Sequence, residues 1–236
     1  MSPEFRDLLS LHVGNAFAKQ VAFADVLEER NWGVSLSEGH ATFGDDLTFA
    51  IQLIGTEADG DSSWLWAWAN EQSNIPDNLL RICTEMRTLG EQTGVPELRE
   101  RSCSQSDADG HKIALIASGL YPDCCYYRGP YDGGALFFLI CDAPDAVTQQ
   151  VAPERAITVL TEVISQFDVD HRHMAKSFLQ TQGFDLSDQS STVVARRDDG
   201  SIEIRFDSEN RIAKIEGSVA AAKPKAKRRW QFWRKA

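Results

Sequence analysis

Between residues 126 and 134 the chain reads Tyr-Tyr-Arg-Gly-Pro-Tyr-Asp-Gly-Gly, which sets Arg128, Tyr131 and Asp132 among four residues built for turns. Glycines permit backbone shapes that expose amide N–H groups, and an arginine can hold a carboxylate or phosphate through two parallel hydrogen bonds. Neither phosphate-cradling pattern, G-x-x-x-x-G-K-[ST] or G-x-G-x-x-G, occurs here. The competing reading is a rigid turn whose Arg128 pairs with Asp132 or another acid. This loop is the first candidate for a ligand site.

A second cluster of chemistry-bearing types is Trp64, Trp66 and Trp68. If 63–69 is a strand, the three indoles share one face and Leu65, Ala67 and Ala69 the other. Each indole can bury roughly 150–250 Å², enough to anchor a core beneath a helix. The alternative is an aromatic platform lining a groove. Asn70 and Glu71, at the strand's end, are better placed to meet a ligand. The candidate ligand-binding set is therefore Arg128, Tyr131, Asp132, Trp66 and Asn70.

The remaining reactive types are scattered. His171 and His173 stand two apart, poor geometry for a shared metal on a helix; His12, His40 and His111 are isolated. No G-x-S-x-G or H-E-x-x-H occurs. The five cysteines include the vicinal Cys124-Cys125 but no C-x-x-C, neither a disulfide framework nor a zinc site. They read as reduced thiols of a cytosolic protein, with Cys124-Cys125 either redox-active or buried and inert. No catalytic residue, metal or cofactor follows from the sequence.

Charge separates the chain into two regions. Seven of the 24 basic residues and none of the 35 acids lie in 223–236, leaving 17 basic against 35 acidic side chains in 1–222. A body that acidic repels phosphate backbones, so nucleic acid is not its main partner. In the tail, Lys227, Arg228 and Arg229 precede Trp230 and Trp233. Basic side chains attract anionic headgroups and indoles favour the interface, so this end could hold the protein on the inner face of a membrane. Docking on the acidic body, an acidic partner, a nucleic-acid arm or a disordered solubilising end are the rivals.

The elements that must position these groups follow from periodicity. Apolar residues at helical spacing predict a long helix over 4–29. Short strand-like runs at 32–36, 41–43, 47–54 and 63–69, joined by tight turns, predict an antiparallel meander. A helix opened near Pro76 and closed by Gly94 follows, then a polar connector at 99–110. Residues 113–117 read as helix and 135–141 as a buried strand. Pro153 opens another helix, and Asp170 caps the next, which Gly183 ends. Three strands close the body at 192–197, 201–206 and 211–215. Helix, strands, helices, strand, helices, strands is an α+β order: antiparallel meanders packed on amphipathic helices, with a flexible basic tail. Residues 1–222 form one body, the polar connector being where two subdomains would meet.

The stretch Leu-Ile-Gly-Thr-Glu ending at Glu57, the Trp-Leu-Trp-Ala-Trp-Ala-Asn ending at Asn70, and the Tyr126 to Gly134 run, with the segment from Asp170-His-Arg to Gly183-Phe184, resemble a bacterial domain-of-unknown-function family. The likeness covers roughly residues 1–185 and implies no activity. The expected function is thus a non-catalytic binding module for a protein or small molecule. The alternatives are an enzyme with its site at 126–134 and peripheral membrane association through the tail.

Overall fold

The computed structural model describes residues 1–219; the tail candidates Lys227, Arg228, Arg229, Trp230 and Trp233 lie outside the described residues. Helix α1 (Pro3–Leu27) begins where the Ser2 hydroxyl accepts the Phe5 N–H and proline fills the first turn. Phe5, Leu9, Val13, Ala16 and Phe23 are buried, but so are Ser10, Gly14, Ala18 and Lys19. The helix is covered on more than one side because it runs between two layers.

The first layer is a seven-stranded sheet in which every pairing is antiparallel. Strands β1 (Trp32–Ser35), β2 (His40–Phe43) and β3 (Leu47–Ala58) form a meander. β3 is long enough to serve three partners. Its first residues pair with β2, and beyond them β4 (Ser63–Trp66) occupies one edge and β7 (Gly134–Ile140) the other. A bulge at Ile54 shifts the register of β3 against β7. Helices α2 (Arg81–Thr93) and α3 (Pro96–Arg99) lead to β5 (Ser102–Ser104), which pairs with β4; after α4 (Gly110–Leu120), β6 (Cys125–Tyr131) pairs with β7. The sheet therefore joins strands from both sides of 99–110.

The second layer follows: α5 (Asp145–Thr148), α6 (Pro153–Gln166), α7 (His171–Thr181) and an antiparallel sheet of β8 (Asp185–Asp188), β9 (Thr192–Arg197), β10 (Gly200–Phe206) and β11 (Ile212–Val219). α1 packs on α4 from the first layer and on α6 and α7 from the second. At Gly14 helices α1 and α7 cross closely: a Cβ there would stand 2.7 Å from Phe178 Cβ. The α+β architecture is the one expected. No helix among the described residues is long and apolar enough to cross a membrane.

Local readings need four corrections. The tryptophan strand stops at Trp66, and 67–69 turns into a 3₁₀ helix, so Trp68 leaves the strand face. Residues 126–134 are not a loop but most of β6 with a tight turn at Asp132-Gly133, since β7 offers β6 a full set of backbone partners. Pro76 precedes a 3₁₀ turn, and α2 starts only at Arg81. The polar connector contains β5 and the α4 cap.

Candidate functional site

Strand register decides what the sequence candidates can do. Arg128 pairs with Phe137, Phe137 with Gly55, and Gly55 with Trp66; one rung on, Pro130 pairs with Ala135, Ala135 with Glu57, and Glu57 with Trp64. Opposed residues share a face, so Arg128, Phe137, Glu57, Trp64 and Trp66 all lie on the side covered by α4. Two strands separate the arginine from the tryptophans.

Trp64 and Trp66 are fully buried, packed edge to face on one another with centroids 5.6 Å apart, and Trp64 also meets Phe137. Trp66 Nε1 donates to the Glu97 carbonyl at 3.0 Å. These indoles are core, and Trp66 offers no ligand platform. Trp68 is half-buried beneath the Arg87 guanidinium, 4.4 Å from its ring. Asn70 sits beyond β4 at the end of the 3₁₀ turn and is not brought to the arginine.

Arg128 pairs with Glu57, not Asp132: Nε lies 3.7 Å from Glu57 Oε2, and the guanidinium is 6.0 Å from the Phe137 centroid. Tyr131 is exposed, its hydroxyl donating weakly to the Glu57 carbonyl at 3.4 Å, and Asp132 is exposed in the turn. The structure thus brings Arg128 and Tyr131 to Glu57 and leaves Asp132, Trp66 and Asn70 outside that cluster.

Glu57 leads to the more telling constellation. Only 7% exposed, its Oε1 accepts the Gly110 N–H at 2.7 Å, while Asp109 caps the same helix by accepting the Lys112 N–H at 2.9 Å. Two carboxylates at the positive end of α4 fix that helix on the sheet. Residue 110 has no room for a Cβ, which would stand 2.5 Å from the Phe137 ring. The next residue, His111, has Nδ1 2.9 Å from the Tyr126 hydroxyl and packs edge-on against Phe137 with centroids 5.3 Å apart. Burial pushes the His111 pKa below its ordinary value, against the pull of Asp109 and Glu57, and burial pushes the Tyr126 phenol up. At neutral pH both partners are uncharged.

This pair opens onto a cleft of about 440 Å³. Its walls are the first turns of α4 with Tyr126, the middle of α1 through Phe17 and Gln20, and the end of α6 through Gln166 and Phe167. Phe17 and Phe167 meet edge to face at 6.3 Å. Lys112 Nζ is held by Asp109 Oδ2 at 2.5 Å, so one side is polar with its charge matched and the other aromatic. A cleft of about 480 Å³ lies beside Glu97 and Cys103, but the Glu97 carboxylate is already taken by the Ser2 N–H and hydroxyl. Among the described residues no group of three His, Cys, Asp or Glu side chains could hold a metal.

Sequence reasoning passed over Glu57, His111 and Tyr126 as site residues. Two signals were available. Asp-Gly-His before an apolar helical run places His111 in the first turn after a cap, and Tyr126 stands two residues before Arg128, hence on the same strand face.

Residues 6–143 match the model of a family of unknown function, DUF6882, over more than half of the chain. The chain belongs to this family. The match agrees with the expected domain of unknown function and ends between β7 and α5. The DUF6882 stretch supplies His111, Tyr126, Asp109 and Phe17, whereas Gln166 and Phe167 lie beyond it. No curated protein and no solved structure matches the chain.

Proposed function

We propose that this DUF6882 member is a binding module for a small organic ligand, held in the cleft at the start of α4. The observation that carries this is the uncharged His111–Tyr126 pair facing the Phe17–Phe167 rings across a cleft of ligand size. The rings suit a flat apolar group, and the imidazole and phenol suit a polar edge. The capped helix and paired strand beneath them supply preorganisation, which lowers the entropic cost of binding. Titrating ¹⁵N-labelled protein with indole, imidazole and benzoate tests it. Amide shifts should concentrate at His111, Lys112, Leu115, Tyr126 and Phe167, and at least one probe should bind roughly tenfold more weakly to His111→Ala, a change of ~1.4 kcal/mol. Shifts spread elsewhere, or none, sink the reading.

Acid–base catalysis at the same pair is the second reading, favoured by the 2.9 Å His111–Tyr126 contact in a cleft. It keeps one partner, Tyr126, within the 126–134 segment expected to hold an enzyme site and takes the other, His111, from the start of α4. Turnover of chromogenic esters that falls on the order of 100-fold in Tyr126→Phe supports it. Binding of the probes without turnover leaves the module non-catalytic.

The basic-aromatic end, 223–236, is proposed as a reversible contact for anionic membranes on its composition alone. Flotation with phosphatidylserine vesicles should carry the full chain and not residues 1–222; equal flotation removes the proposal.

A further inference from the structure

Cys124 lies immediately before β6 and Cys141 immediately after β7. The register pairs Cys125 with Ile140, so the next rung sets Cys124 opposite Cys141. Neither residue spends its backbone on the other. The Cys124 N–H donates to Tyr121 O at 3.0 Å, and its carbonyl accepts from Lys19 Nζ at 2.6 Å and the Ser118 hydroxyl at 3.0 Å; the Cys141 N–H donates to Ala50 O on β3 at 2.9 Å. That is a non-hydrogen-bonded rung, where Cα atoms stand about 4.5 Å apart, inside the window of about 4.4–6.8 Å that a disulfide requires. The side chains of opposed residues point the same way, which sets the two thiols side by side, the Cys141 thiol resting against the Leu139 carbonyl at 4.0 Å. Cys125, adjacent in sequence, points to the opposite face and is fully buried.

A second observation concerns Lys19. Its ammonium is buried on α1 and donates to backbone carbonyls of Ser118, Tyr121, Pro122 and Cys124. Among the described residues it makes no ion pair with a carboxylate. A buried cation with only carbonyls around it lacks a paired counter-ion; burial lowers the Lys19 pKa to about 8, and Cys125, Cys124 and Asp123 are the acidic groups that pull it back up. Cys141 beside it is the leading cause that holds the Cys124 pKa below its ordinary value, opposed by burial and aided by Lys19 and Arg81; Asp123 works against it. Cys141 itself is pushed up, first by Cys124 beside it and then by burial, and burial holds Cys83 and Cys103 at about 11 and Cys125 at about 12.

We propose that Cys124 and Cys141 form a reversible redox pair, with Cys124 the nucleophile, Cys141 the resolving thiol and a small hydroperoxide the oxidant. The Cys124 thiolate attacks one peroxide oxygen: an S–O bond forms, the O–O bond breaks, and the departing oxygen leaves as water after taking up a proton. Cys124 is then a sulfenic acid. Cys141, giving up its proton, attacks that sulfur: the S–S bond forms, the S–O bond breaks and a second water leaves. Two thiols and one hydrogen peroxide become one disulfide and two waters; a dithiol reverses the change. Cys124 is 7% exposed and Cys141 half-buried, so the oxidant must be small. The new bond would tie the start of β6 to the end of β7, at the base of the hairpin that carries Tyr126 and Arg128.

The test treats the full chain with equimolar hydrogen peroxide, blocks remaining thiols with N-ethylmaleimide, and maps unreduced peptides by mass. Two of the five free thiols should disappear, with one cross-linked peptide pair joining Cys124 to Cys141, lighter by two hydrogens and restored by dithiothreitol. In Cys141→Ser, dimedone should label Cys124 as its sulfenic acid. A Cys124–Cys125 link, earlier oxidation of Cys83 or Cys103, or five intact thiols would overturn the proposal. The wild-type chain carries the decision by itself, so poor folding of the variant does not spare it.

Discussion

Glu57 Oε1 accepts the Gly110 N–H at 2.7 Å, tying the far end of β3 to the first turn of α4 across 53 residues of chain. A buried carboxylate at that position is at once a helix cap and the partner of Arg128. The two roles differ in worth. Replacing a cap acceptor costs about 0.5–2 kcal/mol, and stranding a buried donor about 1–3. A half-exposed ion pair at 3.7 Å is worth less than ~1 kcal/mol. Urea unfolding should therefore show Glu57→Ala losing ~2 kcal/mol and Arg128→Ala under ~1, with Glu57→Gln in between. Equal losses for Glu57→Ala and Arg128→Ala would mean that the ion pair, not the cap, anchors α4.

Gly14→Ala tests the crossing of α1 and α7. Alanine favours an isolated helix by up to ~1 kcal/mol. Here the added methyl meets Cβ and Cγ of Phe178 at 2.7 and 2.9 Å, atoms that cannot swing aside without moving α7. Overpacking of this kind costs about 1–3 kcal/mol. The net expectation is a lower urea midpoint with an unchanged slope; a raised midpoint would show the helices separating freely.

Acid should weaken the fold before its carboxylates titrate. Burial is the leading cause that holds His12, His111 and His171 below their ordinary value of 6.5. Between 6.5 and those lowered values the unfolded chain binds protons that the folded chain refuses, so stability falls as pH drops through that window. Urea midpoints measured from about pH 7.5 to 5 should decline, and His111→Gln should flatten the slope. The paired acids Asp188, Asp199 and Asp207 have lowered pKa values and enter only in stronger acid. A flat profile above pH 5 would contradict the burial of these imidazoles.

Trp66→Phe removes one indole N–H and leaves the Glu97 carbonyl without its donor. With the lost volume in a sealed site, the cost should reach ~2–3 kcal/mol by urea unfolding. Near-wild-type stability would mean that the indole is not core after all.

Much of this molecule was legible because its signals are local. Pro153, Asp170 and Gly183 mark helix ends by chemistry that acts within a few residues, and each stands where the structure begins or ends a helix. The turns around residues 198–200 and 208–210 likewise sit between strands of the second sheet. What escaped depended on distant partners. Gly129, Pro130, Gly133 and Gly134 look like a loop until β7 is laid beside them, and Gly129 is small because the Trp32 ring occupies the space above it. Trp68 looked like a strand residue because period two extends through it, yet β5 is too short to pair beyond Ser102. Glu57 gave no local sign of its task, since the N–H it satisfies belongs to Gly110.

The crowding of α1 from two directions has an evolutionary corollary. The stretch shared with the family stops at residue 143, yet one flank of its opening helix is shaped for Phe178 and Phe167, which come later. Excised alone, that stretch would turn a greasy, notched surface toward water. Any relative lacking this particular C-terminal half must therefore supply another lid for it, from its own chain or from a neighbour.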